Sequence, residues 1–213
     1  MIHAVGVGPG DQDLLTLKAR KLLAEAELVI GFSTVLKVVN GFSEGKQIIL
    51  TYQNQEEKLT EVAWMHRQGM RCVVCFMGDP NFSGHQLLER IQNACGESVE
   101  VVPGISSAQL AAARSGLGFE DVVFVTFHKR GDIDQDKDFL ADALLLGRGA
   151  IVLPRPWDFM PKDIAQNLIQ KGVNPDRNVS VYESLTGDEQ NWEGTLGTLA
   201  DEFSNLSVLV IYP

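Results

Sequence analysis

Three short segments in the first half of the chain each stand where a run of β-branched and apolar residues gives way to a helical pattern. They are Val5-Gly6-Val7-Gly8-Pro9-Gly10-Asp11-Gln12-Asp13-Leu14-Leu15-Thr16, then Met77-Gly78-Asp79-Pro80, then Val102-Pro103-Gly104-Ile105-Ser106-Ser107-Ala108. A strand that ends in glycine and proline and turns directly into a helix is the repeating unit of an open α/β sheet. In such sheets ligands collect outside the carboxyl ends of the strands. Three loops of this kind in order predict one composite small-molecule site.

The rest of the pattern agrees. Residues 2–7, 28–30, 47–50, 71–76 and 99–102 read as strands, and 13–26, 56–67 and 86–94 as helices, with Leu14, Leu15, Leu22, Leu23 and Ala26 at helical spacing in the first of these. After a small-residue helix over 107–114, Ser115-Gly116-Leu117-Gly118 offers a break, which predicts an amino-terminal α/β domain over 1–115 and a carboxyl-terminal one over 119–213. Strands are expected there at 121–127, 150–153, 179–183, 191–195 and 206–212. Pro161 opens and Gly172 closes a helix whose Ile164, Ala165, Leu168 and Ile169 share a face. No internal repeat or low-complexity segment interrupts this alternation.

Composition narrows the function. At 213 residues and 45% hydrophobic the chain can bury a substantial core. A formal net charge of −10 excludes a surface built to follow a phosphate backbone, so nucleic acid is not an expected partner. No apolar stretch approaches the roughly 18 residues of a membrane span, and no basic leader precedes an apolar run; the expected setting is soluble and cytoplasmic. Cys72 and Cys75 form a Cys-x-x-Cys inside a predicted strand, where positions three apart face opposite sides. They read as small buried residues, and no metal site is expected.

Each loop carries its own chemistry. Glycines at 6, 8 and 10 break the Gly-x-Gly-x-x-Gly spacing at Asp11, and no Gly-Lys-Ser/Thr follows. Pro9 removes a backbone donor, and an Asp11 carboxylate at the helix start serves as a cap while repelling phosphate. A pyrophosphate is therefore disfavoured, and a tight turn with a capped helix is the plain alternative. Asp79 puts a carboxylate at the sheet edge, either to accept from ligand amines and hydroxyls or to close an Asx turn. Of Ser106 and Ser107, one suffices as a helix cap and the other is left for a ligand.

Taken together, in this order and at these separations, the motifs resemble the tetrapyrrole methylase family, S-adenosylmethionine-dependent enzymes that methylate corrin precursors and uroporphyrinogen. The resemblance covers essentially the whole chain. It implies two α/β domains with a cofactor cleft between them, and cofactor contacts from Pro9, Gly78, Asp79, Phe82, Ser106 and Ser107. Glu193-Gly194-Thr195-Leu196 resembles the family's Gly-Thr-Leu element, which implies further cofactor contacts from Gly194 and Thr195. Within the family, Thr126-Phe127-His128-Lys129-Arg130-Gly131, Val181-Tyr182-Glu183-Ser184-Leu185 and Asp188-Glu189 resemble the carbon-5 methyltransferases of cobalamin synthesis. Lys129 stands where that group usually has glycine, and Pro154-Arg155 where it usually has threonine and aspartate. The resemblance also implies a homodimer, S-adenosylhomocysteine as product, and a separate carbon-15 methyltransferase and decarboxylase as partner.

Methyl transfer from a sulfonium is an in-line displacement that asks mainly for positioning and a dry site. The ring carbon attacks and later loses a proton, for which His128 and Glu183 are candidate bases. His128, Lys129, Arg130 and Arg155 form the local basic cluster expected to meet substrate carboxylates. The rival readings are another methylase of this superfamily, diphthine synthase or a ribose methyltransferase among them, and a noncatalytic binding module on the same scaffold.

Overall fold

The structure, a computed structural model, describes residues 2–96, 99–200 and 202–213. The chain divides into two compact units, Met1–Ser106 and Ser107–Pro213. In the first, β1 (His3–Gly6), β2 (Leu28–Phe32), β3 (Lys46–Leu50), β4 (Cys72–Phe76) and β5 (Glu100–Val102) form one sheet in the order β3-β2-β4-β1-β5. Every neighbouring pair is parallel. A parallel sheet needs cover on both faces, and β4 at its centre is buried at all five positions.

The alternation of β4 sorts the cover. Cys72, Val74 and Phe76 join one apolar cluster with Leu59, Val62 and Ala63 of α3 (Gln55–Arg67) and Leu88 and Ile91 of α4 (His85–Cys95). Val73 and Cys75 join another with Ala19 and Leu23 of α1 (Leu17–Glu25) and Val35, Leu36 and Val38 of α2 (Ser33–Val38). The two cysteines thus face opposite sides of one strand, as the pattern requires. Burial pushes the Cys72 thiol up to about 11 and the Cys75 thiol up to about 12.

The expected helix over 13–26 is two elements. Gln12–Leu14 form a single 3-10 turn capped by Asp11, whose Oδ1 accepts the Asp13 N–H at 2.8 Å. Leu15 is extended with its side chain in the core, and α1 starts afresh at Leu17 with the Thr16 hydroxyl accepting the Ala19 N–H at 3.1 Å. Thr16 is a strong start signal inside what otherwise reads as one apolar period. Helix α2 was not anticipated: it is a short run of largely β-branched and apolar residues that continues from β2.

In the second unit, α5 (Ser107–Ser115), β6 (Val122–Thr126), α6 (Asp134–Leu145), β7 (Gly149–Leu153), α7 (Pro161–Gln170), β8 (Asn178–Glu183), β9 (Gln190–Thr195) and β10 (Ser207–Ile211) follow in order. The sheet order is β6-β7-β10-β8-β9, with β6 and β7 parallel and every other pair antiparallel. Phe127, Leu140, Leu144, Ile164, Leu168, Val181 and Leu209 belong to its core. Helix α5 packs on β7 and β10, so the division falls before this helix rather than at the expected break over Gly116–Gly118. Helix α6 was also not anticipated. Among the described residues no helix is long and apolar enough to cross a membrane.

Candidate functional site

The connections of the first unit fix where its ligand edge lies. After β1 the chain passes to α1 on one face, and after the adjacent β4 it passes to α4 on the other. Neighbouring strands whose connections part in this way mark the switch point of an α/β sheet, where a crevice opens at the carboxyl edge. The loops after β1, β4 and β5 meet here. Gly8 and Gly78 pair across it: the Gly78 N–H donates to the Gly8 carbonyl at 2.9 Å, and the Gly8 N–H to the Gly78 carbonyl at 3.4 Å.

Glycine is required at this junction by close backbone approach. A Cβ on Gly6 would stand 2.6 Å from the Gly104 nitrogen and 2.6 Å from the Gly78 carbonyl oxygen. One on Gly104 would stand 2.8 Å from the Gly6 Cα. Gly8 and Gly78 have φ of +77° and +65°, the left-handed region that side chains disfavour.

Asp79 ties this junction together. Its Oδ1 accepts the Asn81 N–H at 2.7 Å, closing an Asx turn, and its Oδ2 accepts the Gly104 N–H at 3.0 Å from the loop after β5. Its carbonyl accepts the Phe82 N–H at 3.1 Å, so Pro80 sits at the first corner of a β-turn that delivers the half-buried Phe82. The next residue, Ser83, takes a φ of 68°. Both expected roles of Asp79 thus meet in one carboxylate: it is a turn residue with each oxygen engaged once, and each oxygen keeps acceptor capacity toward a ligand. Pro9 is half-buried, Ser106 is buried and Ser107 is the first residue of α5.

The chemistry of this edge is that of backbone amides and carbonyls, hydroxyls and one half-buried carboxylate. Asp11 already takes up an N–H of the first turn, and Asp13 adds a second negative charge. Such a set fits a ligand with amine and hydroxyl donors and positive charge, and disfavours phosphate.

In the second sheet the ends of β6, β7 and β8 share one edge. Phe127 prolongs β6 through its N–H to the Leu153 carbonyl at 2.9 Å and is fully buried, with its ring edge-on to Phe159 at 4.9 Å. The chain then emerges. The His128 N–H donates to Thr126 Oγ1 at 3.2 Å, the imidazole lies 5.8 Å from the Trp157 ring, and desolvation lowers its pKa from the ordinary value. Arg130 is exposed.

The expected basic cluster is partly neutralised. Lys129 Nζ pairs with Asp136 Oδ2 at 2.6 Å. Arg155 forks onto Asp158 with 2.5 and 3.0 Å contacts and donates to the Gly131 carbonyl at 3.0 Å. Arg155 is therefore a loop staple, and Lys129 is held toward α6. Glu183 is engaged too: its Oε1 accepts the Ser204 N–H at 2.5 Å. Glu189 pairs with Arg114 of α5 at 3.1 and 3.3 Å.

Gly194 and Thr195 lie elsewhere. Thr195 ends β9 opposite Asn178, the first residue of β8, so the Gly-Thr-Leu element sits at the edge of the second sheet opposite to the one that carries His128. A five- or six-residue strand separates the two edges by roughly 17 Å. The segment serves the strand end: Gly194 leaves room for the Trp192 ring, and Thr198 Oγ1 accepts the Thr195 N–H at 2.9 Å. The structure does not bring Gly194 and Thr195 together with the other second-unit candidates. Trp157, Asp158 and Asp136 were not singled out in the sequence, although Pro156-Trp157-Asp158 directly after a strand is a turn signal.

Comparison with known proteins gives the same outline. Residues 1–200 match the family described as Tetrapyrrole (Corrin/Porphyrin) Methylases. A probable cobalt-precorrin-7 C(5)-methyltransferase of Methanocaldococcus jannaschii is 34% identical over 99% of this chain and 97% of its own length. The siroheme synthase of Gluconobacter oxydans is 32% identical over 97% of this chain, which spans only 46% of that protein. Among solved structures, a uroporphyrin-III C-methyltransferase of Thermus thermophilus complexed with S-adenosylhomocysteine has the same fold, with a TM-score of 0.77 at 23% identity over 99% of this chain and 96% of that one. The chain belongs to the tetrapyrrole (corrin/porphyrin) methylase family.

Proposed function

We propose that the protein is an S-adenosylmethionine-dependent C-methyltransferase that methylates ring carbon 5 of a corrin precursor, cobalt-precorrin-7 or its metal-free counterpart, in cobalamin biosynthesis. One observation carries this reading: the end-to-end similarity to the C(5)-methyltransferase relative at 34% identity, where the siroheme synthase match leaves over half of that protein without a counterpart.

The residues of the first edge suit the cofactor. Pro9, Gly78, Asp79, Phe82, Ser106 and Ser107 would hold it, with Asp79 accepting from its amine or hydroxyl groups and the glycines letting backbone approach closely. When bound, the cofactor supplies an electrophilic methyl group on a sulfonium, and its demethylated product is S-adenosylhomocysteine. Fixing this ligand and excluding water are the main tasks left to the chain. The Gly194-Thr195 segment is left out of the assignment, because it serves the end of β9.

On the second unit, Arg130 and His128 are the groups offered to substrate, with Lys129 in support from its pair with Asp136. Arg130 suits a carboxylate through its planar fork. Proton removal from the methylated carbon is assigned to His128, because partial desolvation lowers its pKa and favours the neutral, proton-accepting imidazole, while one oxygen of Glu183 holds the Ser204 N–H. The same reading carries a cytoplasmic homodimer with a separate carbon-15 methyltransferase and decarboxylase, for which sedimentation gives the oligomeric state directly.

Arg130→Ala tests the division of labour. Tetrapyrrole affinity is expected to fall by about 1.5–3 kcal/mol with cofactor affinity nearly constant, read by calorimetry with each ligand. A fall in cofactor affinity alone would mean the two units have been given the wrong roles.

A further inference from the structure

We propose that Trp157 is a substrate-positioning residue, an indole platform for one face of the tetrapyrrole, with the His128 ring tilted 57° to it and set at the side of the platform rather than in its plane; this rests on the function proposed above. The turn that carries it is built to hold an exposed ring still. Arg155 and Phe159 pair across the turn, with the Arg155 N–H donating to the Phe159 carbonyl and the Phe159 N–H to the Arg155 carbonyl, both at 3.0 Å. The Asp158 N–H closes a further bond to the Arg155 carbonyl at 3.3 Å. Pro156 fixes one backbone angle of the three-residue tip Pro156-Trp157-Asp158. The Arg155 guanidinium then locks the tip three ways, forking onto Asp158 and reaching the Gly131 carbonyl of the neighbouring loop, with its side chain only 13% exposed.

All this rigidity is spent on a side chain that is itself 54% exposed. A single exposed apolar residue is ordinary on a protein surface. Here, however, the turn below it is anchored by the buried Phe159 against Phe127, the rim is charged, and the exposed indole stands beside an exposed imidazole at a ring separation of 5.8 Å. The Arg155 guanidinium lies over the indole ring, 5.8 Å from its centroid, and backs one face of it. A rigid aromatic with two rotatable bonds loses little entropy when it binds, which makes it an efficient surface for a flat conjugated ligand. His128 and Trp157 follow the parallel strands β6 and β7 at one edge of the second sheet, and the exposed Arg130 belongs to the same loop as His128, on the edge where a macrocycle on the indole would present its carboxylates.

The test uses the full chain with S-adenosylhomocysteine bound, so that no transfer occurs, and the metal-free, carbon-5-unmethylated corrin precursor as probe. Trp157→Ala is expected to raise the dissociation constant of the precursor on the order of tenfold, while Trp157→Phe keeps it within about threefold. In turnover, Trp157→Ala should raise KM for the precursor with kcat far less affected, the mark of binding lost equally in ground and transition states. Affinity for S-adenosylhomocysteine should not move in either variant. Asp158→Ala, which keeps the indole and frees the turn, should weaken precursor binding in the same direction, as expected of a platform that works by being held. Wild-type precursor affinity retained in Trp157→Ala would overturn the platform and leave the proposed function standing. A wild-type protein that binds S-adenosylhomocysteine but not the precursor would overturn both.

Discussion

Gly104 has little freedom to change, because a single methyl group there meets the Gly78 carbonyl oxygen and the Gly6 backbone at the end of β1. Gly104→Ala is expected to cost about 1–3 kcal/mol in urea unfolding, the usual penalty of forcing extra volume into a packed site, and to weaken cofactor binding in calorimetry. Asp79 acts on the same junction through hydrogen bonds rather than space. Asp79→Ala should lower cofactor affinity by about 1–3 kcal/mol, and because it also releases the Asn81 and Gly104 N–H groups it should lower the unfolding midpoint. Unchanged affinity with a lowered midpoint would confine Asp79 to the turn. At His128 the expected signature is a pH profile. With its pKa held below the ordinary value, the imidazole stays neutral through neutral pH, so the acidic limb of the single-turnover rate should fall below pH about 6.5 and vanish in His128→Ala if it is the base. These residues were legible because glycine, proline and aspartate at strand ends have few other uses. The pairing of Lys129 with Asp136 and of Arg155 with Asp158 was not, since a sequence shows that charges are near one another in order but not which of them face each other.

Whole elements were legible where period and punctuation coincided. Strand β4 is the clearest case: its alternation fixed which cysteine meets which face, and the packing of Cys72 against α3 and α4 and of Cys75 against α1 and α2 follows it. Chelators are accordingly expected to leave the unfolding midpoint unchanged; a stoichiometric metal lost together with the fold would contradict the strand. The thiols also predict an alkaline limb. Both are raised in the folded chain above their ordinary value of 9.0, to about 11 and about 12, so their stabilising effect is complete below pH 9 and is lost as pH rises toward the folded values. Cys75→Ala should flatten the loss of stability over that range in urea titrations at stepped pH. Helices α2 and α6 show where pattern reading stops. The first is six residues of β-forming composition made helical by packing, with Val35, Leu36 and Val38 buried. The second opens with three aspartates in five residues, which mask the helical spacing of Ile133, Leu140, Ala141 and Leu144 in the core.

At the scale of the molecule, the sequence foretold two α/β units of comparable size. It placed the joint one helix too late because the Ser-Gly-Leu-Gly stretch is a better visible breaker than the short Ile105-Ser106 passage, while α5 packs on β7 and β10 of the second unit. It gathered the three glycine loops correctly, since strands of a parallel sheet deliver their carboxyl ends to one edge. It gave Gly194 and Thr195 to the cofactor and His128 to the substrate without showing that the two lie at opposite edges of the second sheet, because strand direction in a mixed sheet depends on pairings that lie far apart in the chain. The proposed activity is defined by what is methylated and where. Incubation of the purified protein with S-adenosylmethionine carrying a carbon-13 methyl group and with precorrin-7, cobalt-loaded and metal-free, followed by NMR of the product, measures this directly. One labelled methyl group on carbon 5 is the predicted result, and a methyl group on any other ring carbon, or no transfer from a cofactor that is shown to bind, would contradict it.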